Sequence, residues 1–138
     1  MRTLLVLGAA ALVASAAVAG EQADPKVLGR GRTLYLRYCA SCHGTDAKGG
    51  GPAAGALKTP VPDLTQLPRK DGKVDTDRVR TFIDGTQAAT AHGTREMPVW
   101  GKVFEKTGER RSAGWAQTDI WTLVEYIASI QAPESQAK

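Results

Sequence analysis

Both cysteines of this 138-residue chain fall within five positions, Cys39-Ala40-Ser41-Cys42-His43, and no other stretch limits the fold as strongly. Two thiols separated by two residues, followed at once by an imidazole, have the spacing for attachment of c-type haem. Each thiol can add to one haem vinyl group, and the adjacent ring can ligate the iron from the same side. A redox disulfide of this spacing expects a βαβ setting, whereas here the motif follows a helical pattern and precedes a Gly-rich loop. A structural zinc site needs four ligands, and beyond the motif the chain offers His92 and carboxylates without a second Cys-x-x-Cys. A plain disulfide across two residues would be strained and would leave His43 unexplained. One motif implies one covalently attached haem c, with iron as its metal.

Composition agrees with such a group filling the interior. Only 6% of the residues are aromatic, yet a chain of this size buries roughly two-thirds of its unfolded surface. The length suits one domain and excludes a large multidomain enzyme. The net charge of +4 is spread along the sequence without a run of five basic residues, so no nucleic-acid partner is expected.

The N-terminus has a different character. Met1, Arg2 and Thr3 make a short basic start, Leu4 to Val18 is apolar or small, and Ala17-Val18-Ala19 supplies an A-x-A site. Residues 1–19 are expected to be a signal peptide cleaved near Ala19, giving a periplasmic protein. The competing reading, an uncleaved membrane anchor, is disfavoured because the apolar run falls short of the about 20 residues that cross a bilayer. No membrane span is expected in the mature protein. Residues 20–25 would form a short leader, 26–132 the folded domain and 133–138 a C-terminal tail.

Within the domain, Asp24 and Pro25 look like an N-cap and first-turn proline for a helix carrying Val27, Leu28, Gly31, Leu34, Tyr35 and Tyr38 into Cys39. Gly44 to Pro68 is rich in Gly and Pro and should wrap as a loop. Asp75 or Thr76 would cap a second helix with Val79, Phe82 and Ile83 on one face and Gly85 at its end. A short helical turn is expected over Trp100 to Lys106, and Glu109 to Gln117 reads as a polar connection. Thr118 would cap the last helix, in which Ile120, Leu123, Val124, Ile127 and Ile130 recur at helical spacing until Pro133 stops the pattern. No alternating strand pattern or internal repeat is evident.

The face of the iron opposite His43 has two candidate ligands. Met97 is the one Met besides the initiator and stands in the irregular stretch Glu96-Met97-Pro98-Val99-Trp100-Gly101, where Pro98 stiffens the backbone. A lone Met is commonly a core gap-filler, but between two helices its side chain can be aimed at a metal. His92 lies five residues away in Thr90-Ala91-His92-Gly93-Thr94, which reads as an exposed turn. Periodicity does not separate the two.

From Gly31 to Ile130 the chain resembles a bacterial class I cytochrome c. The resemblance rests on Gly31 and Tyr35 at eight and four residues before Cys39, on Cys39-Ala-Ser-Cys42-His43-Gly44, on Gly51-Pro52 and Pro62-Asp63-Leu64, on Met97-Pro98, and on Leu123 with Tyr126. It implies an all-α cytochrome c fold of three to five short helices with long loops around one haem. The first and last helices would cross at Gly31, with Tyr35, Leu123 and Tyr126 at the contact. It further implies Met97 as the second iron ligand, and a loop proline, taken as Pro52, accepting a hydrogen bond from Nδ1 of His43.

An iron held by His43 and Met97 suits an electron carrier rather than an enzyme. An open or labile sixth position would instead suit a small-ligand binder or a peroxidase-like protein, which needs a distal acid or base. The carrier would serve redox partner proteins either as a free shuttle or as a fixed subunit of a dehydrogenase or oxidase. Lys48, Lys58, Arg95 and Lys102 lie in stretches expected around the haem edge, so the partner is expected to present an acidic surface.

Overall fold

A computed structural model describes residues 23–86, 97–107 and 112–133. Residues 1–19, read above as a signal peptide, His92, Arg95 and the residues from 134 onward lie outside the described residues. The first helix, α1 (Pro25–Tyr38), begins as its sequence dictates: the Asp24 side chain accepts from the Lys26 N–H at 2.8 Å, and Pro25 occupies the first turn. At Cys39 the backbone steps out of the helix and re-enters a single turn, α2 (Ala40–His43). A long loop containing one 3₁₀ turn (Ala54–Ala56) leads to a two-stranded antiparallel hairpin, β1 (Arg69–Lys70) and β2 (Lys73–Val74). Three further helices follow, α3 (Thr76–Asp84), α4 (Trp100–Thr107) and α5 (Ala113–Ser129).

The five helices meet the all-α expectation, with two differences of detail. The hairpin departs from the expected absence of strands, because strands of two residues are too short for alternation to show. Its signal is local: Asp71 and Gly72 both have positive φ, 52° and 75°, the pair that a tight hairpin turn requires. The second difference is the start of α5, which is capped by Ser112 accepting from the Trp115 N–H and not by Thr118. Thr118 lies inside the helix and returns its hydroxyl to the Gly114 carbonyl at 3.1 Å. The apolar period begins only near Ala116, so the first exposed turn of α5 carries no periodic signal. The helix also ends at Ser129, ahead of Pro133. Asp75, by contrast, caps α3 as expected, accepting from the Arg78 N–H, and Gly85 ends it at φ 79°.

α5 is the element on which α1, α3 and α4 all pack. Its inner face buries Ala116, Ile120, Leu123, Val124 and Ile127, and Tyr35, Ile83 and Phe104 come from the three partners. Against α1 the approach is so close that no side chain fits between them. A Cβ on Gly31 would overlap the Thr122 carbonyl oxygen and lie 2.6 Å from Cβ of Tyr126. One turn later the Tyr35 and Tyr126 rings meet with centroids 5.4 Å apart. Beside the crossing, Arg30 donates twice to Oδ1 of the buried Asp119, at 2.5 and 3.2 Å.

Two glycines of α1 therefore respond to alanine with opposite sign. At Gly29 nothing lies within 4 Å of an added Cβ, so Gly29→Ala gains helix propensity and stabilises by about 0.5–1 kcal/mol. At Gly31 the same gain is outweighed by overlap with backbone atoms that cannot turn aside, and the loss is about 1–3 kcal/mol. Denaturant melts of the two variants beside the parent measure both; a neutral Gly31→Ala would show that the crossing is loose.

Candidate functional site

Cys39, Cys42 and His43 are brought together on the single turn that follows α1. Gly31, Tyr35 and Cys39 repeat at four-residue spacing, so the crossing point, the buried tyrosine and the first thiol lie on one helical face. Both thiols are free; Cys39 is buried and Cys42 half-buried. Burial, followed by the neighbouring Cys42, pushes the Cys39 thiol up to about 12, so at neutral pH it keeps its proton. The Tyr35 hydroxyl is likewise pushed upward, chiefly by burial, and donates to the Gly44 carbonyl at 2.7 Å. The helix before the motif and the glycine after it are thereby joined.

The loop beyond the motif folds back onto its main chain. The N–H groups of Gly49, Gly51 and Ala53 donate in turn to the carbonyls of His43, Cys42 and Ser41, at 2.8, 3.0 and 2.8 Å. Such contact leaves no room at Gly51, where a Cβ would overlap the Ser41 carbonyl oxygen and lie 2.6 Å from the Cys42 carbonyl carbon. The expectation that Pro52 orients His43 is corrected by this arrangement. Pro52 sits exposed between two residues bonded to the motif backbone, and that course carries it past the main chain rather than toward the ring.

The carbonyl that faces the imidazole belongs to Pro62, whose oxygen lies 3.3 Å from Nδ1 of His43. A carbonyl can only accept, so the ring carries its proton on Nδ1 and presents its lone pair on Nε2. Burial lowers the pKa of His43 and the bond to Pro62 partly opposes it, which favours the neutral ring needed to donate to a metal. Pro62 is held by the three residues after it. Oδ1 of Asp63 accepts from the Thr65 N–H and hydroxyl, at 2.8 and 2.6 Å, and the Leu64 N–H donates to Ala47 at 2.7 Å. The Thr65 hydroxyl is the largest cause holding the Asp63 carboxyl below the usual range. A depressed folded pKa means that this tether contributes at neutral pH and is lost as pH falls through it.

Two free thiols on one turn, an imidazole with Nε2 as its lone-pair nitrogen, and a glycine where the covering loop presses closest form a donor set that fits covalent haem and iron. Met97 is exposed, at 37%, on the segment entering α4, and no contact joins it to His43 among the described residues. Its surroundings nevertheless run toward the motif. Trp100, three residues on, has its ring 5.5 Å from that of Tyr38, the neighbour of Cys39, and Phe104 completes the cluster at 5.1 Å from Tyr38. Sequence reasoning missed this aromatic group because Tyr38 ends α1 and its partners lie in α4, more than sixty residues on. Lys48, Lys58 and Lys102 are exposed.

A family model described as Cytochrome c matches residues 28–131, from the first turns of α1 to just beyond α5. No solved structure matches the chain.

The covering loop yields a test. Gly51→Ala must push the loop off the motif backbone, so the variant should mature to much less covalent holoprotein and melt at lower temperature. Gly50→Ala, with nothing within 4 Å of the new methyl, should mature like the parent. Haem-stained yield and thermal melts read both, and equal yields would contradict the close contact.

Proposed function

The chain belongs to the cytochrome c family, and we propose that it is an exported carrier of the bacterial class I type, with His43 and Met97 holding the iron from opposite sides. Attached to the chain, haem c supplies a one-electron site whose iron changes oxidation state reversibly. The observation that carries this reading is the Pro62 carbonyl oxygen 3.3 Å from Nδ1 of His43, which leaves Nε2 as the ring's donor atom. Cys39 and Cys42 are the thiols for the two thioether links. Met97 contributes a soft thioether, which favours the ferrous state, whereas His92 would contribute a second imidazole and a lower potential. Trp100 and Phe104 anchor the segment that follows Met97 against Tyr38, beside the motif.

The basic start, apolar run and A-x-A site of residues 1–19 support export with cleavage near Ala19, leaving a domain over 26–132. Among the described residues no helix is long and apolar enough to cross a membrane. The exposed Lys48, Lys58 and Lys102 support docking to an acidic redox partner. Whether the protein works as a free shuttle or within a larger oxidoreductase complex, the same surface would serve.

Replacing Met97 by Ala should lower the reduction potential and admit carbon monoxide rapidly to the reduced protein, while His92→Ala should change neither. Redox titration and absorbance spectra distinguish the two, and the reverse pattern would transfer the role to His92. Rapid stoichiometric carbon monoxide binding by the parent would overturn the carrier reading altogether. The N-terminal sequence of that holoprotein should begin at or near Gly20. For docking, the rate of electron exchange with an acidic partner should fall as ionic strength rises; a flat profile removes the electrostatic encounter.

A further inference from the structure

The geometry points to Gln131 as a positioning residue for His43: its carboxamide, carried just past the end of α5, fixes the loop whose Pro62 carbonyl orients the ring. Gln131 is 88 residues from His43 in sequence and contacts neither the ring nor the thiols. What it holds is the backbone of the segment after Pro62. Its Nε2 donates to the Leu64 carbonyl at 2.7 Å, and its Oε1 accepts from the Leu67 N–H at 3.1 Å. One amide thus satisfies both a donor and an acceptor of an irregular segment that has no ladder of its own. The neighbouring main chain adds a second attachment, with the Ala132 N–H donating to the Thr65 carbonyl at 2.8 Å and Arg69 donating to the Ala132 carbonyl.

The hold reaches Pro62 through a stiff connection. Leu64 is bonded on both sides of its own residue, by its N–H to Ala47, four residues after His43, and by its carbonyl to Gln131. Between Pro62 and Leu64 stands Asp63, whose carboxylate closes a turn on Thr65 and also accepts from the Gln66 side chain at 3.0 Å. The turn moves as a unit, so releasing Leu64 and Leu67 releases the Pro62 carbonyl with them. Nε2 also donates to the Ile127 carbonyl at 2.8 Å, one of the last carbonyls of α5. That bond alone would make Gln131 a helix terminator. The bonds to Leu64 and Leu67 do nothing for α5, and they make it a strut between α5 and the loop that faces His43.

The chemical consequence comes from the Nδ1 bond. A firm N–H to carbonyl bond makes the imidazole a stronger electron donor at Nε2, which favours ferric iron; a slack one has the opposite effect. The inference rests on His43 being an iron ligand, as proposed above. The test uses four holoproteins: parent, Gln131→Leu, Gln131→Glu and Arg30→Ala. Leucine keeps the bulk and removes every bond. Glutamate keeps an acceptor for Leu67 but, when ionised, has no proton for Leu64 or Ile127, and it carries the test if the leucine variant fails to mature. Arg30→Ala destabilises the helix crossing without touching the loop.

Proton NMR reads solvent exchange of the His43 Nδ1 proton, and a redox titration reads the potential. In both Gln131 variants exchange should accelerate about tenfold or more and the potential should rise, whereas Arg30→Ala should lower the melting temperature and leave both unchanged. Gln131 variants that only melt earlier would overturn the positioning role, as would an equal change in Arg30→Ala. A parent protein with no protected proton on a ligated imidazole would instead remove the reading of His43 itself, and that result is visible before any variant is made.

Discussion

The place where α1 crosses α5 with no side chain between them is the reference for the rest of the molecule. Gly31 lets its helix lie against the Thr122 carbonyl and Tyr126, and because α1 is rigid over the next two turns, the crossing also fixes where Cys39 begins. Tyr35, midway between them, is wholly buried and spends its hydroxyl on the Gly44 carbonyl. The haem motif therefore has no independent position: its entry is set by a helix contact and its exit by a tyrosine on that same helix. Arg30 and the buried Asp119 fix the rotation of α1 about its axis, since a carboxylate withdrawn from water cannot be left without its cation.

A chain that must surround a large flat group needs extended stretches without regular structure, and each such stretch must place its backbone polar groups somewhere. Here the answer is to use the main chain of the motif itself. Alternate residues 49, 51 and 53 bond to consecutive carbonyls 43, 42 and 41, an arrangement that takes up carbonyls at the end of a four-residue helix as well. The two bonded glycines have different reasons for being glycine. Gly49 adopts φ 84°, a left-handed conformation in which a side chain would be strained, and a Cβ there would also overlap the Val61 carbonyl oxygen, while Gly51 has no such conformation and is constrained by space alone. Pro52 costs the arrangement nothing, because in this alternation its position is one that does not donate.

What could be read from the sequence was whatever is encoded over a few residues. The Asp24-Pro25 start, the Asp75 cap with Gly85 as terminator, and the apolar period of α5 are each local, and each stands where it was expected. Cys39, Cys42 and His43 form an equally local pattern, and the fold gathers them at the turn that follows α1. The orienting carbonyl was not legible, because it depends on where a loop goes after leaving the motif. Pro52 and Pro62 are equivalent to composition, and only the backbone bonds of residues 49–53 decide that the first passes the ring by. Asp63 with Thr65 two residues on was a usable clue, since that pair closes a turn and gives Pro62 a fixed setting. Partners such as Gln131 with Leu64, Arg30 with Asp119 and Tyr38 with Trp100 lie more than sixty residues apart, beyond the reach of any pattern along the chain.

The two sides proposed for the iron are also built differently, and the difference has a physical meaning. On the His43 side, the described contacts are a connected set of backbone and side-chain hydrogen bonds running from Gly44 through Ala47, Leu64 and Pro62 to Gln131. Directional bonds of that kind define an orientation, and each depends on the others being in place. Toward Met97 the described contacts are stacked and edge-on rings, Tyr38, Trp100 and Phe104, with centroids 5.1 to 5.7 Å apart. Ring packing attracts strongly but tolerates sliding, so it keeps the segment after Met97 close without defining the angle of a side chain. Iron geometry would then have to supply the final orientation of the thioether, whereas the imidazole is oriented by the protein alone. A carrier arranged this way would have one ligand that the fold imposes and one that the metal selects, and covalent links through Cys39 and Cys42 would make the second choice safe, because exchange of that ligand could not release the group.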